Sequence, residues 1–164
     1  MIYLKTDYNH NQPITYEQLY SRALNYLSHR EYSRVELQNK LSKYSNDKEL
    51  IIRVLDELSE KNWQSDRRFS ESLINSKSSK YGNLHLAETL RQKGVDSEIA
   101  KQYLLADEDE IANAYKILQK KFGIAVYPIS AQLKQKCYRF LSYRGFSYEI
   151  IQKAMRQWEK NQED

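Results

Sequence analysis

The chain has 164 residues, 40% apolar and 29% charged, with a net charge of +4. Only 4 glycines and 2 prolines are present, too few turn residues for a β-rich fold or for long loops. Without an apolar run of about 18 residues no membrane helix is expected. No long apolar stretch follows a basic segment at Met1-Ile2-Tyr3-Leu4-Lys5-Thr6-Asp7, so no secretory leader is expected either. The lone Cys137 has no partner for an internal disulfide, and a cytoplasmic location is the default.

Residues 1–14 read as a flexible arm, polar and turn-rich from Asp7 to Pro13. Thr15 opens a helix, with Gln18 completing a capping box, and Leu19, Ala23, Leu24 and Leu27 follow at helical spacing. Ser33 and Glu36 form a second box ahead of Val35, Leu37 and Leu41. Asp47 starts a third helix, with Leu50 or Ile51, Val54, Leu55 and Leu58 on one face. Residues 15–64 thus make one three-helix unit able to bury its apolar faces on one another.

Residues 65–106 repeat the plan. Phe69, Leu73 and Ile74 face inward from a helix beginning near Ser65-Asp66, and Asn83 caps a helix carrying Leu86 and Leu90. Gly94 stands where a left-handed residue closes that helix, and Asp96 caps another carrying Ile99, Tyr103 and Leu104. In residues 107–164, Asp107-Glu108-Asp109-Glu110 suit the positive end of a helix dipole. A metal site is the sharper reading of those carboxylates, but no loop-glycine pattern or matching ligand cluster accompanies them. Gly123 ends this helix, Pro128 suits the first turn of the next, and Ile129, Leu133, Cys137 and Phe140 form its inner stripe. Gly145 breaks it, and Ser147 caps a last helix with Ile150, Ala154 and Trp158 inward.

The three units are copies. Fifty-one residues separate Leu90, Gly94, Val95, Glu98 and Ile99 from Leu141, Gly145, Phe146, Glu149 and Ile150. Forty-nine separate Leu37, Leu41, Asp47, Glu49, Leu50 and Leu55 from Leu86, Leu90, Asp96, Glu98, Ile99 and Leu104. A near-constant period predicts an all-α fold of three tandem three-helix repeats, about nine helices in all.

No catalytic, cofactor or metal site is expected. His10, His29 and His85 lie apart, and no glycine-rich phosphate loop, nucleophile elbow or His-Glu-x-x-His occurs. Cys137 sits on an apolar stripe and reads as a buried thiol. The 14 tyrosines read chiefly as half-buried packing residues, although they could stack on bases; Trp63 and Trp158 read as core or interface residues. Charge, however, is uneven. Residues 1–64 carry nine basic and nine acidic side chains, net zero. Residues 111–158 carry nine basic residues (Lys116, Lys120, Lys121, Lys134, Lys136, Arg139, Arg144, Lys153, Arg156) against Glu149, a net of +8. A field of one sign suits a polyanion or an acidic protein face; its bland counterpart is a solvated lysine surface. Gln132, Lys136, Arg139 and Tyr143 fall in one row opposite Leu133 and Cys137, and Lys153, Arg156 and Lys160 in another opposite Ile150 and Ala154.

These residues also carry a resemblance. Ala23-Leu24 through Leu27 to Arg30, Ser33-x-x-Glu36-Leu37-x-x-Lys40-Leu41 and Val54-Leu55-x-x-Leu58 are similar to the opening repeat of the RecX family, regulators of the bacterial recombinase RecA. Asp66-x-x-Phe69, Tyr81-Gly82 and Leu90-Arg91-Gln92-Lys93-Gly94-Val95 resemble its middle signature, and Phe140-Leu141-x-x-Arg144-Gly145-Phe146-Ser147 its closing one. Asn62-Trp63-Gln64 departs from the usual glycine and aliphatic residue before the aspartate, and Ser70 replaces the usual alanine. The resemblance implies an elongated, curved molecule, a monomer that binds the RecA–DNA filament in its groove and restrains strand exchange and co-protease activity. That would place it in recombination, DNA repair and the SOS response, with weaker, non-specific binding to single- and double-stranded DNA. Lys120, Lys121, Lys134, Lys136, Arg139, Tyr143, Arg144, Lys153, Arg156 and Lys160, with Arg91 and Lys93, are the expected contacts with that partner or with nucleic acid. The rival readings are a sequence-independent DNA-binding helical module and a helical adaptor for an unrelated protein.

Overall fold

The computed structural model describes residues 13–123 and 128–161, and these contain nine α-helices and no strand. The chain divides into two compact units, Met1–Ser65 and Asp66–Asp164. The first twelve residues of the expected arm and His10 lie outside the described residues. Ile14, expected in that arm, packs against the first core.

In the first unit, α1 (Tyr16–Leu27), α2 (Arg34–Leu41) and α3 (Lys48–Glu60) start where short polar side chains satisfy their first amides. Thr15 and Gln18 complete a reciprocal box, Ser33 accepts from Glu36 N–H and Asp47 from Leu50 N–H. The three helices bury Leu19, Ala23, Leu37, Leu41, Ile51, Val54, Leu55 and Leu58. Ile51 rather than Leu50 is the fully buried member of its pair, and Val35 is turned outward, 37% exposed. At the end of α3, Asn62 takes φ 57° while the amides of Trp63 and Gln64 both reach back to Leu58 O, so asparagine fills the left-handed position that glycine usually takes. Gln64 is buried and donates to Tyr32 O at 3.2 Å, whereas Trp63 is 57% exposed and is not a core residue.

The second unit holds α4 (Asp66–Lys77), α5 (Asn83–Gln92), α6 (Ser97–Tyr103), α7 (Asp107–Phe122), α8 (Ala131–Tyr143) and α9 (Tyr148–Lys160). Helices α4 to α6 enclose Phe69, Leu73, Ile74, Leu86, Leu90, Val95 and Ala100. Helices α7 to α9 enclose Ala114, Leu118, Cys137, Leu141, Ile150, Ile151, Ala154 and Trp158. The repeat is visible in the cores: Leu41, Leu90 and Leu141 are all 0% exposed, and Cys137 occupies the place of Leu37 and Leu86. Asp47, Asp96 and Ser147 are likewise the N-caps of α3, α6 and α9. Ser70 is fully buried and satisfies its hydroxyl on Asp66 O at 2.7 Å.

Two expected helix starts are corrected. Helix α8 begins three residues after Pro128, at Ala131, because Ser130 Oγ accepts from Leu133 N–H and a capping side chain outranks proline's fixed φ. Gly82, not Asn83, is the N-cap of α5, since Asn83 serves a longer-range purpose. Its backbone N–H donates to Glu110 Oε1 at 2.8 Å and its Nδ2 to Glu110 Oε2 and Leu105 O, both at 2.9 Å; its Oδ1 accepts from Leu105 N–H at 3.0 Å. Glu110 is therefore 3% exposed and tied to Asn83, although it belongs to the acidic first turn of α7. Nearby, Gly82 N–H donates to Arg144 O and Leu84 N–H to Gly145 O, joining the start of α5 to the corner between α8 and α9.

Candidate partner-binding face

On α8 the core needs Cys137 and Leu141, with Leu133 and Phe140 half-buried beside them. At 3.6 residues per turn this turns the opposite row outward. Gln132, Lys136, Arg139 and Tyr143 are all exposed, Tyr143 to 91%. On α9, burial of Ile150, Ile151, Ala154, Met155 and Trp158 leaves Lys153, Arg156 and Lys160 exposed. Tyr148, 64% exposed, stands at the start of α9.

Cations in this region have unequal engagements. Lys134 Nζ pairs with Glu159 at 3.1 Å, and Lys153 Nζ lies 3.8 Å from Asp107. The Lys153–Asp107 pair is exposed on both sides and holds its lysine weakly, whereas Glu159 is half-buried and holds Lys134 better. Lys136, Arg139, Arg156 and Lys160 have no ion-pair partner among the described residues. Arg144 is half-buried: it donates to Lys80 O at 2.9 Å and lies 4.5 Å from the Phe140 ring centre, so part of its donor set holds the junction with α5. Lys120 and Lys121 are exposed in the last turn of α7, with Lys121 Nζ 5.9 Å from the same ring. Arg91 lies outside this face, on α5; it clasps Glu88 through two bonds of 2.7 Å, and its guanidinium with Gln92 holds the Glu88 carboxyl down at about 2. Lys93, the C-cap of α5, is half-buried on the same helix.

Two residues that sequence pattern did not single out sit between these rows. Tyr138 and Met155 face each other across the groove between α8 and α9, and Tyr138 meets the Tyr148 ring edge-on, centres 6.0 Å apart. Their signal was a register one step away from the outward rows, which reads equally as core edge.

Among the described residues no cluster of three or more His, Cys, Asp or Glu could hold a metal ion, and no helix is long and apolar enough to cross a membrane. His29 is engaged with Asn25 O, and His85 stacks on Tyr81 at 4.2 Å. Burial pushes the Cys137 thiol up to about 11, with the Glu159 charge adding to it, which opposes the thiolate a nucleophile needs.

The first, second and third three-helix domains of RecX match residues 20–58, 65–104 and 107–155. The chain is 40% identical over 147 residues to "Regulatory protein RecX" of Neisseria meningitidis serogroup C, covering 89% of this chain and 95% of that one. It is 40% identical over 146 residues to the protein of the same name from Herminiimonas arsenicoxydans, covering 88% and 95%. The crystal structure of RecX from Lactobacillus salivarius superimposes with a TM-score of 0.77 at 23% identity, over 88% of this chain and 97% of that one.

Proposed function

The chain belongs to the RecX family of regulatory proteins, and from that premise we propose that it is a non-enzymatic regulator of the RecA–DNA filament. It acts in the cytoplasm by binding that filament and restraining recombinase and co-protease activity, with the outward face of α8 and α9 as the contact. The observation that carries the reading is the exposure of Lys136, Arg139, Tyr143, Lys153, Arg156 and Lys160 on two adjacent helices of the most basic part of the chain. A surface of one sign steers an oppositely charged assembly toward it, and both DNA phosphates and an acidic protein face would answer to it. Arginine adds forked bonds to either kind of oxygen acid. Lys120, Lys121, Lys134 and Arg144 border the face and supply field more than contact; Arg91 and Lys93, on α5, form a separate cationic pair outside it.

A binder without chemistry of its own acts in proportion to the sites it covers. Titrating this protein into RecA assembled on single-stranded DNA should lower the ATPase rate progressively until the filament sites are filled. Full inhibition at trace amounts, far below one copy per several RecA subunits, would overturn stoichiometric coverage.

A further inference from the structure

The groove between α8 and α9 differs in kind from the cationic rows that flank it. It has a volume of about 440 Å³, with Tyr138 and Met155 at its base and Gln135 and Gln152 on its two rims. Lys134 and Glu159 close one end as an ion pair, and Arg156 stands beside them. Tyr148, outside the lining, packs edge-on against Tyr138. Lys134 and Arg156 against Glu159 leave this groove a single net positive charge, while residues 111–160, which include all three, carry ten basic and two acidic side chains, a net of +8. By helical register Arg139 lies about 40° beyond Gln135 on α8, so a denser cationic field begins at the rim.

We propose that this groove seats a bulky apolar side chain of an acidic protein segment on the partner, with carboxylates of the same segment meeting Arg156 and Arg139. The proposal rests on the reading of the α8–α9 face as the filament contact and names the part of the filament it meets. Three features favour protein over nucleic acid. A phosphate backbone carries a charge at each nucleotide and would pass the Glu159 carboxylate, whereas a peptide can place its charges only where the cations stand. Tyrosine, methionine and arginine together are the composition of protein-interface centres. Each glutamine rim carries one acceptor and two donors, the complement of a peptide main chain running along the groove.

Gln135 is exposed, so Gln135→Trp fills the groove from its rim without displacing core. Gln152→Ala removes a rim partner without adding bulk. Affinity for RecA filaments on oligo(dT), and for oligo(dT) alone, is measured for both variants, for the unmodified protein and for the Lys136, Arg139, Lys153, Arg156→Glu variant. The proposal expects Gln135→Trp to lose about tenfold or more in filament affinity, Gln152→Ala about twofold to tenfold by loss of one net hydrogen bond, and bare-DNA binding to stay within about twofold. Unchanged filament affinity for both groove variants, with loss in the charge-reversed one, overturns the groove and leaves the face standing. Equal losses on filament and bare DNA overturn it in favour of a nucleic-acid occupant. An unmodified protein that does not bind filaments at all takes down the face and the groove together.

Discussion

Three glycines in the second unit separate two costs that usually occur together. Gly123 has φ 62° and ψ −141°, a conformation nearly reserved for glycine, and nothing among the described residues lies within 4 Å of a would-be Cβ, so Gly123→Ala pays only for backbone strain, about 1–3 kcal/mol. Gly82 has an ordinary φ of −81°, but its Cβ would stand 2.4 Å from Gly145 O and 2.6 Å from Phe146 N. Those atoms are backbone and cannot swing aside. Gly82→Ala therefore forces apart the Gly82 N–Arg144 O and Leu84 N–Gly145 O bonds, now 2.9 and 3.1 Å. Two net hydrogen bonds at about 1 kcal/mol each and overpacking of about 1–3 kcal/mol, less about 0.4–1 kcal/mol of unfolded-state entropy, give a loss of roughly 2–5 kcal/mol. Gly145→Ala carries both costs: φ is 80°, and its Cβ would lie 2.5 Å from His85 N and Cβ. The expected order is Gly145→Ala worst, then Gly82→Ala, then Gly123→Ala. Urea unfolding read by fluorescence of the fully buried Trp158, in a Trp63→Phe background, measures it. A Gly82→Ala loss below about 1 kcal/mol would refute the close backbone contact between α5 and the α8–α9 corner.

Ser147→Ala should cost about 1 kcal/mol by chemical denaturation, because Ser147 Oγ caps Ile150 N–H at the start of α9; no measurable loss would mean that solvent caps this helix equally well. Burial first, and then the Asp107 charge, raises the Glu110 carboxyl above its ordinary 4.5, against the lowering effect of the Asn83 bonds. A raised carboxylate favours the folded state at low pH, so Glu110's contribution should fall as pH rises from about 4.5 through its folded pKa. The stability difference between the native protein and Glu110→Gln should therefore shift against the native protein over that range, and a pH-independent difference would contradict it. Cys137, 0% exposed with its thiol raised to about 11, should resist a disulfide reagent at pH 8 until urea unfolds the chain; rapid native-state reaction would show that its stripe opens.

Most of the fold was legible because its signals are local. Thr15, Ser33, Asp47, Asp96 and Ser147 mark helix starts through bonds to amides two or three residues on, and Gly94, Gly123 and Gly145 mark helix ends through positive φ. Period made the cores legible, down to Cys137 in a leucine's place. What escaped is non-local. Asn83 has the chemistry of a cap, but its partners are 22 and 27 residues away, so it became a link between α5 and Glu110. Pro128 and Ser130 both suit a helix start, and the bond from Leu133 N–H to Ser130 Oγ decides between them. Trp63 is large and apolar yet lies outside the core. For the face, helical register placed Lys136, Arg139, Lys153, Arg156 and Lys160 outward as expected. It could not foresee that Arg144 reaches Lys80 O, that Lys134 meets Glu159, or that Tyr138 and Met155 border one groove, since each depends on how separate helices pack.

If the face of α8 and α9 grips the filament, reversing its charge should loosen that grip without unfolding the protein. Lys136, Arg139, Lys153 and Arg156 are exposed and outside the core, so changing all four to glutamate should leave the helical spectrum and unfolding midpoint essentially intact. Inhibition of RecA-driven strand exchange, measured against protein concentration, should then move to at least about tenfold higher concentration, which corresponds to about 1.4 kcal/mol of lost binding. A correctly folded quadruple variant that inhibits at the native concentration would show that these cations are only a solvated surface.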